Sequence, residues 1–559
     1  MFVLQLMLLC VALPVLALLA AGLAGLVAVA ACDTRCASLP VFIAQLLPAD
    51  SSGFASVAKV LLGAAGETAL LAAGVLTIAV TLGVATAWLT SQYRFTGRRV
   101  FQVLLLTPLA LPAYVAAYAW VELLAYDAPL ATALRNTLGI ERLPDVRTTL
   151  GATFVLGMGL FPYVYAVARV AFAQHAARLG EVAASLGVSG WAAFWRLHWP
   201  LSRPAVAAGA SLVLMETLAD YGVSAYMGVN TVTVTLYQTW FAGEQKLIAI
   251  GLVLCLLAAC AVLLKLERRF RNKGGVSITA ATRRELPQLS RLNNVLAALF
   301  CITVVALGFA VPLGSLLSLW LTDSSASWAA QWQRVWPAVT HSVQFAALGA
   351  SAVLALTTAA LIVKRWYASK PSAVIKLLNK LIAFNQLGYA VPGVAIALAI
   401  LWPVAAFDRV LAGWLGTGLL LTGTGAAVVF AYVIRFYAVG HNGVQSGLER
   451  ISPQVQDAAQ SLGAGAWQTA RRVYAPLLAP SFATAWVLVW IDCLKELPAT
   501  LMLRPFNSDT LPVLIFQWIA DERAAQAALP SLILTLVGLI PIVLAAIRQK
   551  NQTHQNNTK

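Results

Sequence analysis

Residues 181–204 read EVAASLGVSGWAAFWRLHWPLSRP, and residues 457–480 read DAAQSLGAGAWQTARRVYAPLLAP. At an offset of 276 residues the two stretches align without a gap and share nine identities: Ala183/Ala459, Ser185/Ser461, Leu186/Leu462, Gly187/Gly463, Trp191/Trp467, Arg196/Arg472, Pro200/Pro476, Leu201/Leu477 and Pro204/Pro480. Shared Leu and Ala are unsurprising in an apolar chain. Trp, Arg, Gly and Pro held in register mark a duplicated unit. Each copy begins with an acid among small residues, has a Gly six positions after the acid and a Pro thirteen beyond that. The spacing predicts a short helix, a Gly break and a second short helix that ends near Pro. Small side chains on such a helix let another backbone come close, and the acid can cap the helix start or meet a basic partner.

Around these loops lies a chain of 559 residues that is 60% hydrophobic and 11% charged, whereas charged residues make up about a quarter of a globular domain. The alternative solvent is lipid, which needs about 20 apolar residues per helical crossing. Twelve spans are expected, near 3–31, 68–92, 100–125, 149–172, 203–228, 246–266, 293–321, 341–363, 377–402, 416–438, 481–503 and 525–547. They are continuous apolar runs that hold Gly and Pro, as membrane helices tolerate, and lack the short alternating strands of a barrel. The expected fold is an all-α membrane protein of about 12 transmembrane helices. The repeated loops follow the fourth and tenth spans, so each half is a six-helix unit, and the halves are parallel repeats. The boundaries are 1–266 for the first repeat, 267–292 for a cytoplasmic linker, 293–548 for the second repeat and 549–559 for a polar tail.

Placing the N-terminus in the cytoplasm gathers most of the Lys and Arg, and few of the acids, on 93–99, 173–202, 267–292, 364–376, 439–480 and the C-terminus. This is the positive-inside bias. The net charge of +16 then reflects topology and contact with anionic membrane lipid, and argues against nucleic acid as a partner. The expected location is the bacterial inner membrane, with both termini cytoplasmic. The seven cysteines form no metal-ligand pattern. Cys10, Cys255, Cys260, Cys301 and Cys493 fall in apolar spans as small packed hydrophobes, while Cys32 and Cys36 lie just outside, where a local disulfide can form. Val29-Ala30-Ala31-Cys32 resembles a lipoprotein cleavage site, but no basic residue precedes the long apolar run, so it reads as an uncleaved first helix.

The paired loops resemble the EAA loop of ABC importer permeases, E-A-A-x-x-x-G followed by I-x-L-P. In that family the loop forms a coupling helix that rests in a groove of the ATPase subunit. The resemblance implies Glu181, Ala183 and Gly187, with Asp457, Ala458, Ala459 and Gly463, as docking residues. Val182 departs from the first Ala of the pattern and Asp457 from its Glu, which makes the two docking surfaces unequal. No G-x-x-x-x-G-K-[ST] phosphate loop occurs in the chain. It is therefore expected to be a transport subunit and not an enzyme. ATP and Mg²⁺ belong to a separate ATPase, no cofactor is bound by this chain, and two loops imply two copies of the ATPase.

An ionisable side chain near the centre of a span costs at least about 2.5–3.5 kcal/mol and calls for an explanation. Glu216 aligns with Asp492 and Asp220 with Glu496, each pair spaced i,i+4 and so expected on one helix face, with Lys495 the basic neighbour in sequence. Two readings stand. Glu216, Asp220, Asp492, Lys495 and Glu496 form a cation-favouring translocation pathway, or they form an ion-pair network that locks the two halves together. The stretches METLADYGVSAYMGVNT followed by YQTWF, and DCLKELPATLMLRPFNSDTLPV, resemble the fused permeases of ferric-iron ABC importers that work with a periplasmic ferric-binding protein. Lys495 to Thr500 and Arg504-Pro505-Phe506 are the most specific part, and the resemblance covers essentially the whole chain. It implies alternating-access import of iron(III), delivered by a binding protein received on the loops at about 32–67, 126–148, 229–245 and 504–524. Iron(III) prefers oxygen ligands, yet thiamine or another cationic solute also suits an acidic path, and no residue is assigned as a metal ligand. A proton-coupled secondary transporter shares the span count and the membrane carboxylates, but leaves the paired loops unexplained.

Overall fold

The computed structural model describes residues 4–5, 7–13, 16, 51–139, 145–185, 190–241, 246–273, 286–322, 328–367, 373–415, 421 and 423–555. Among the described residues the chain is helical, and the only extended pairing is an isolated bridge between Arg94 and Gln288. The helices used below are α1 (Ser51–Gln92), α2 (Ala113–Leu123), α3 (Thr149–Ser185), α4 (Trp199–Ala219), α5 (Gly222–Tyr226), α6 (Trp328–Trp366), α7 (Gly393–Leu415), α8 (Ala426–Leu448), α9 (Pro453–Ser461), α10 (Ala475–Lys495), α11 (Pro498–Leu503) and α12 (Ala524–Gln555).

Eight helices among the described residues are long and apolar enough to cross a bilayer: Ala58–Gln92, Thr149–Ala173, Ile248–Leu266, Arg291–Thr322, Ala329–Trp366, Ala426–Leu448, Ala466–Lys495 and Ala524–Leu544. Two further expected spans, 100–125 and 377–402, are bent. Arg98–Ala110 meets Ala113–Leu123 at 91°, and Ala373–Ala390 meets Gly393–Leu401 at 118°. Both breaks precede a proline. Leu111 has φ −87° and ψ 119°, and Val391 has φ −83° and ψ 127°, the extended geometry that a following proline ring imposes. The expected span 203–228 is also interrupted, because α4 ends at Ala219 and Asp220 turns extended with φ −66° and ψ 131°. Most of the expected span 3–31, with Cys32 and Cys36, lies outside the described residues.

The helices fall into two compact units, each of which draws on both halves of the sequence. One consists of Asp50–Glu244, Cys255–Ser325 and Ile515–Lys559. At its centre α1, α3 and α4 pack on one another. A Cβ added at Gly209 of α4 would lie 2.8 Å from Cα of Val164 in α3, and one at Gly157 of α3 would lie 2.7 Å from Ile78 of α1. Such small residues let membrane helices approach closely enough for dispersion to hold them. The helix Val311–Thr322 packs on α2 and α12, and Ser315 Oγ donates to Ala119 O at 3.0 Å. The stretch expected as a cytoplasmic linker has fixed contacts at and just past its end: Arg94 N donates to Pro287 O at 3.0 Å, and Thr96 N to Asn294 Oδ1 at 2.8 Å.

The other unit consists of Met1–Ala49, Gln245–Leu254 and Ala326–Leu514. Its centre is the matching trio α6, α8 and α10. Here a Cβ at Gly440 of α8 would lie 2.5 Å from Val353 of α6, and one at Gly443 would lie 2.6 Å from Ala485 of α10. Leu4 and Leu8 pack into a cluster with Ile375, Leu378, Ile382 and Tyr437.

Gly209→Ala is expected to cost about 1–3 kcal/mol through overpacking against a backbone that cannot yield. Gly159→Ala, whose Cβ would meet nothing within 4 Å, is expected to be neutral or to stabilise by about 0.5–1 kcal/mol. Thermal unfolding of the two variants in detergent checks the contrast.

Candidate functional site

In the second repeat the loop is a separate element. Ser452 caps α9, its Oγ accepting from Gln454 N at 3.3 Å, and Pro453 follows as first helical residue, where its missing N–H costs nothing. The helix stops at Gly463, which has φ +81°, a left-handed conformation that glycine adopts without a steric penalty. Gly463 N donates to Gln460 O at 2.9 Å and Ala464 N to Ala459 O at 3.0 Å, the closing pattern of a Schellman cap. Asp457 and Ala458 are exposed, whereas Ala459 is buried. At the cap Leu462 is 87% exposed and past it Trp467 is 76% exposed, so two large apolar side chains stand outward after the acid. The loop is nevertheless held from below. Arg365 of α6 donates to the carbonyls of Leu448 and Ile451, and its guanidinium lies 5.4 Å from the centre of the Tyr474 ring. The Tyr474 hydroxyl in turn donates to Gln456 Oε1 at 2.8 Å.

In the first repeat Glu181 and Ala183 belong to the end of α3, which runs unbroken to Ser185. Gly187 lies outside the described residues. Both repeats then enter their core helix through a π turn, Phe194–His198 and Ala470–Tyr474, at the same offset of 276. Pro200 and Pro476 follow each turn and lack the N–H that would close an α turn there. Below the first turn, Trp88 of α1 packs edge-on against Phe172, Phe194 and His198, with centroids 4.8–5.4 Å away.

The membrane acids divide into two kinds. Asp220 and Glu496 do not sit on a helix face with their i−4 partners, because the helix ends one residue before each. Their carboxylates cap the short helix that follows. Val223 N donates to Asp220 Oδ1 at 3.3 Å, and Ser224 N and Oγ donate to Oδ2 at 2.9 and 2.8 Å. Ala499 N donates to Glu496 Oε1 at 3.0 Å, and Thr500 N and Oγ1 donate to Oε2 at 3.0 and 2.9 Å. The two constructions match position for position. Glu216 and Asp492 remain on α4 and α10 proper, each half-buried. Lys495 lies one turn from Asp492 at the end of α10. A basic partner invisible in local sequence is Arg435 of α8, with Nη1 3.8 Å from Glu496 Oε1.

The loops expected on the outer side are more helical than their composition suggests. Residues 51–67 belong to α1, and Pro129–Leu138, Val232–Phe241 and Leu511–Ala520 are helices. Two are tied to a core helix by a hydroxyl: Val232 N donates to Thr68 Oγ1 at 2.9 Å, and Leu511 N to Ser342 Oγ at 2.6 Å. Arg504 pairs with Asp509, and Phe506 between them is fully exposed.

With this geometry in place, comparison with known proteins is informative. The model of the family described as binding-protein-dependent transport system inner membrane component matches residues 79–272 and 377–553, so each match contains one repeated loop and one acid turn. The chain is similar to the Fe(3+)-transport system permease protein FbpB 2 of Haemophilus influenzae, 26% identical over 86% of this chain and 88% of the relative. It is also similar to the putative ferric transport system permease protein FbpB 1 of the same organism, 23% identical over 58% of this chain and 51% of that protein. A third relative is the putative 2-aminoethylphosphonate transport system permease protein PhnV of Salmonella typhimurium, 33% identical over 27% of this chain and 53% of that protein.

The capping geometry has a measurable consequence. Ser224→Ala and Thr500→Val remove a hydroxyl donor to a half-buried and a buried carboxylate respectively and are each expected to cost about 1.5–3 kcal/mol. Thermal unfolding of purified protein reads this, and unchanged melting in both variants would speak against the caps.

Proposed function

The chain belongs to the binding-protein-dependent transport system inner membrane component family, and from that premise we propose that it is the whole membrane pore of an ATP-driven iron(III) importer. The observation that carries this reading is the duplicated loop: one polypeptide holds two family matches, each containing one copy of the repeated segment. The cargo rests on the likeness, along nearly the full length of both chains, to a permease named for Fe(3+) transport, and it agrees with membrane acids on both repeats.

In this proposal both termini face the cytoplasm. Two copies of a separate ATPase, holding ATP and Mg²⁺, grip the loops around Glu181, Ala183 and Gly187 and around Asp457, Ala458, Ala459 and Gly463. The outward pair Leu462 and Trp467 adds apolar area to the second grip. Closure of the ATPases on ATP pulls the loops together. In the second repeat, the tether from Gln456 through Tyr474 to Arg365 passes that pull to α6. The pore then alternates between a state open to the periplasmic binding protein and one open to the cytoplasm, each nucleotide state favouring the conformation it binds better. Glu216 and Asp492, which lie outside the caps, are the acids placed to meet a cation, with Lys495 tempering the second. Thiamine or another cationic solute is the competing cargo. A proton-coupled transporter has no use for a binding protein or for paired loops.

Two outcomes are expected. In a strain deleted for this chain, uptake of radiolabelled iron(III) falls and thiamine uptake does not, and the chain restores it; the reverse pattern would reassign the cargo. Glu181→Arg with Asp457→Arg abolishes co-purification of the ATPase while membrane insertion stays normal, and undiminished association would remove the docking assignment.

A further inference from the structure

Among the described residues, the acid turn of the second repeat carries an ion-pair partner that its counterpart lacks. Arg435 and Glu496 have side chains 12% and 1% exposed, with Nη1 and Oε1 3.8 Å apart. That nitrogen makes no hydrogen bond among the described residues, so it offers Glu496 charge and not a shared proton. Gly393, first residue of α7 after the bend at Pro392, lies against both groups. A Cβ there would lie 2.6 Å from Glu496 Oε1, 2.7 Å from Arg435 Nη1 and 3.2 Å from Ala499 N. Only a residue without a side chain lets the bend press against both groups. Tyr432, one turn before Arg435, ties the same turn by a hydroxyl contact of 2.8 Å with Thr500 Oγ1. Three elements thus meet at one point: the bend, the core helix α8 and the acid turn before α11.

At the repeat offset of 276, Gly159 stands where Arg435 does and Leu156 where Tyr432 does. The site beside Gly159 is open, for a Cβ would meet nothing within 4 Å. The residue after the proline of the first bend is Ala113, where the second has Gly393. The exchanges go together: with the arginine comes a glycine at the bend, and without it a methyl group. The capping bonds themselves are the same in both repeats.

A guanidinium in an apolar span is costly unless a charge answers it, and in low dielectric that answer is strong. We propose that Arg435 is the resident counter-ion of Glu496 and a positioning residue for transport, pinning the bend of the second repeat to its acid turn. Among the described residues the first repeat has no such clamp. Glu496 is accordingly a structural acid, and the two halves of the pore contribute unequally to cargo passage. The transport part of this proposal rests on the function proposed above; the pairing does not.

The test uses the full chain with R435Q, R435K, E496Q and the double variant R435Q/E496Q. Melting temperature in detergent reads the pair. R435Q is expected to melt clearly lower, R435K to keep most of the parent value, and the double variant to melt no lower than E496Q alone, because the arginine then has no charge to answer. Losses that simply add in the double variant, or R435K melting as low as R435Q, would overturn the pairing. Uptake of radiolabelled iron(III) by the complete system, normalised to inserted protein, reads the positioning role. R435Q is expected to lose uptake severalfold with ATPase association unchanged, and R435K to recover it; undiminished uptake in R435Q overturns the role. The melting arm needs no cargo, so it decides the pair even if the pore carries something other than iron(III).

Discussion

Inside a bilayer no water is available to a stray peptide group, so every N–H and C=O must find its partner within the protein. A regular helix meets that condition by itself. At four places where the described residues leave the helix in an apolar stretch, a specific group supplies a bond to the helix that follows. At the ends of α4 and α10 it is the carboxylate of Asp220 or Glu496, which collects the first amides of the next short helix. At the prolines of the bends it is the proline carbonyl, to which Val115 N and Ala116 N, or Ile396 N, return. Several polar side chains on the spans follow the same logic: Thr90, Thr357 and Ser531 donate to carbonyls one turn back, which satisfies those three hydroxyls.

The condition explains why acids are placed where they are. A carboxylate that accepts two or three bonds is a better cap than a hydroxyl, and its charge is the cost of that strength. The second repeat offsets the cost with Arg435; the first does not. The two repeats are thus one design with different electrostatics, and the difference sits at the bend, where the helix pair is least able to stabilise itself.

Function adds a mechanical requirement. A loop that another subunit grips has to be exposed at its tip and fixed at its base. The second loop has both properties, with Leu462 and Trp467 turned outward and Arg365 and Tyr474 fastening the backbone beneath. The fastening runs to α6 and α8, two of the three helices packed through glycine at the centre of that unit. In the proposed function, displacement of the loop would reach the core through these contacts.

Much of this was legible from residues alone. Composition settles the solvent and the offset of 276 reveals the duplication, because each depends on residue type and distance along the chain. The acid, glycine and proline spacing marks the repeated segment, but only in the second repeat does the acid lie on a separate short helix, and in both the helix runs on through the prolines. The bends at Pro112 and Pro392 were within reach of the rule for residues before proline, but apolar spans tolerate proline, so a straight helix was an equally good reading. Local spacing also put Asp220 on the same face as Glu216; only the fold ends the helix at Ala219 and turns the acid onto Ser224. The pairing of Arg435 with Glu496, the wedge of Gly393 between them and the hold of Arg365 on the second loop were decided by tertiary structure. They join residues far apart in the chain, and which groups meet there depends on how helices pack and not on any pattern that a single segment contains.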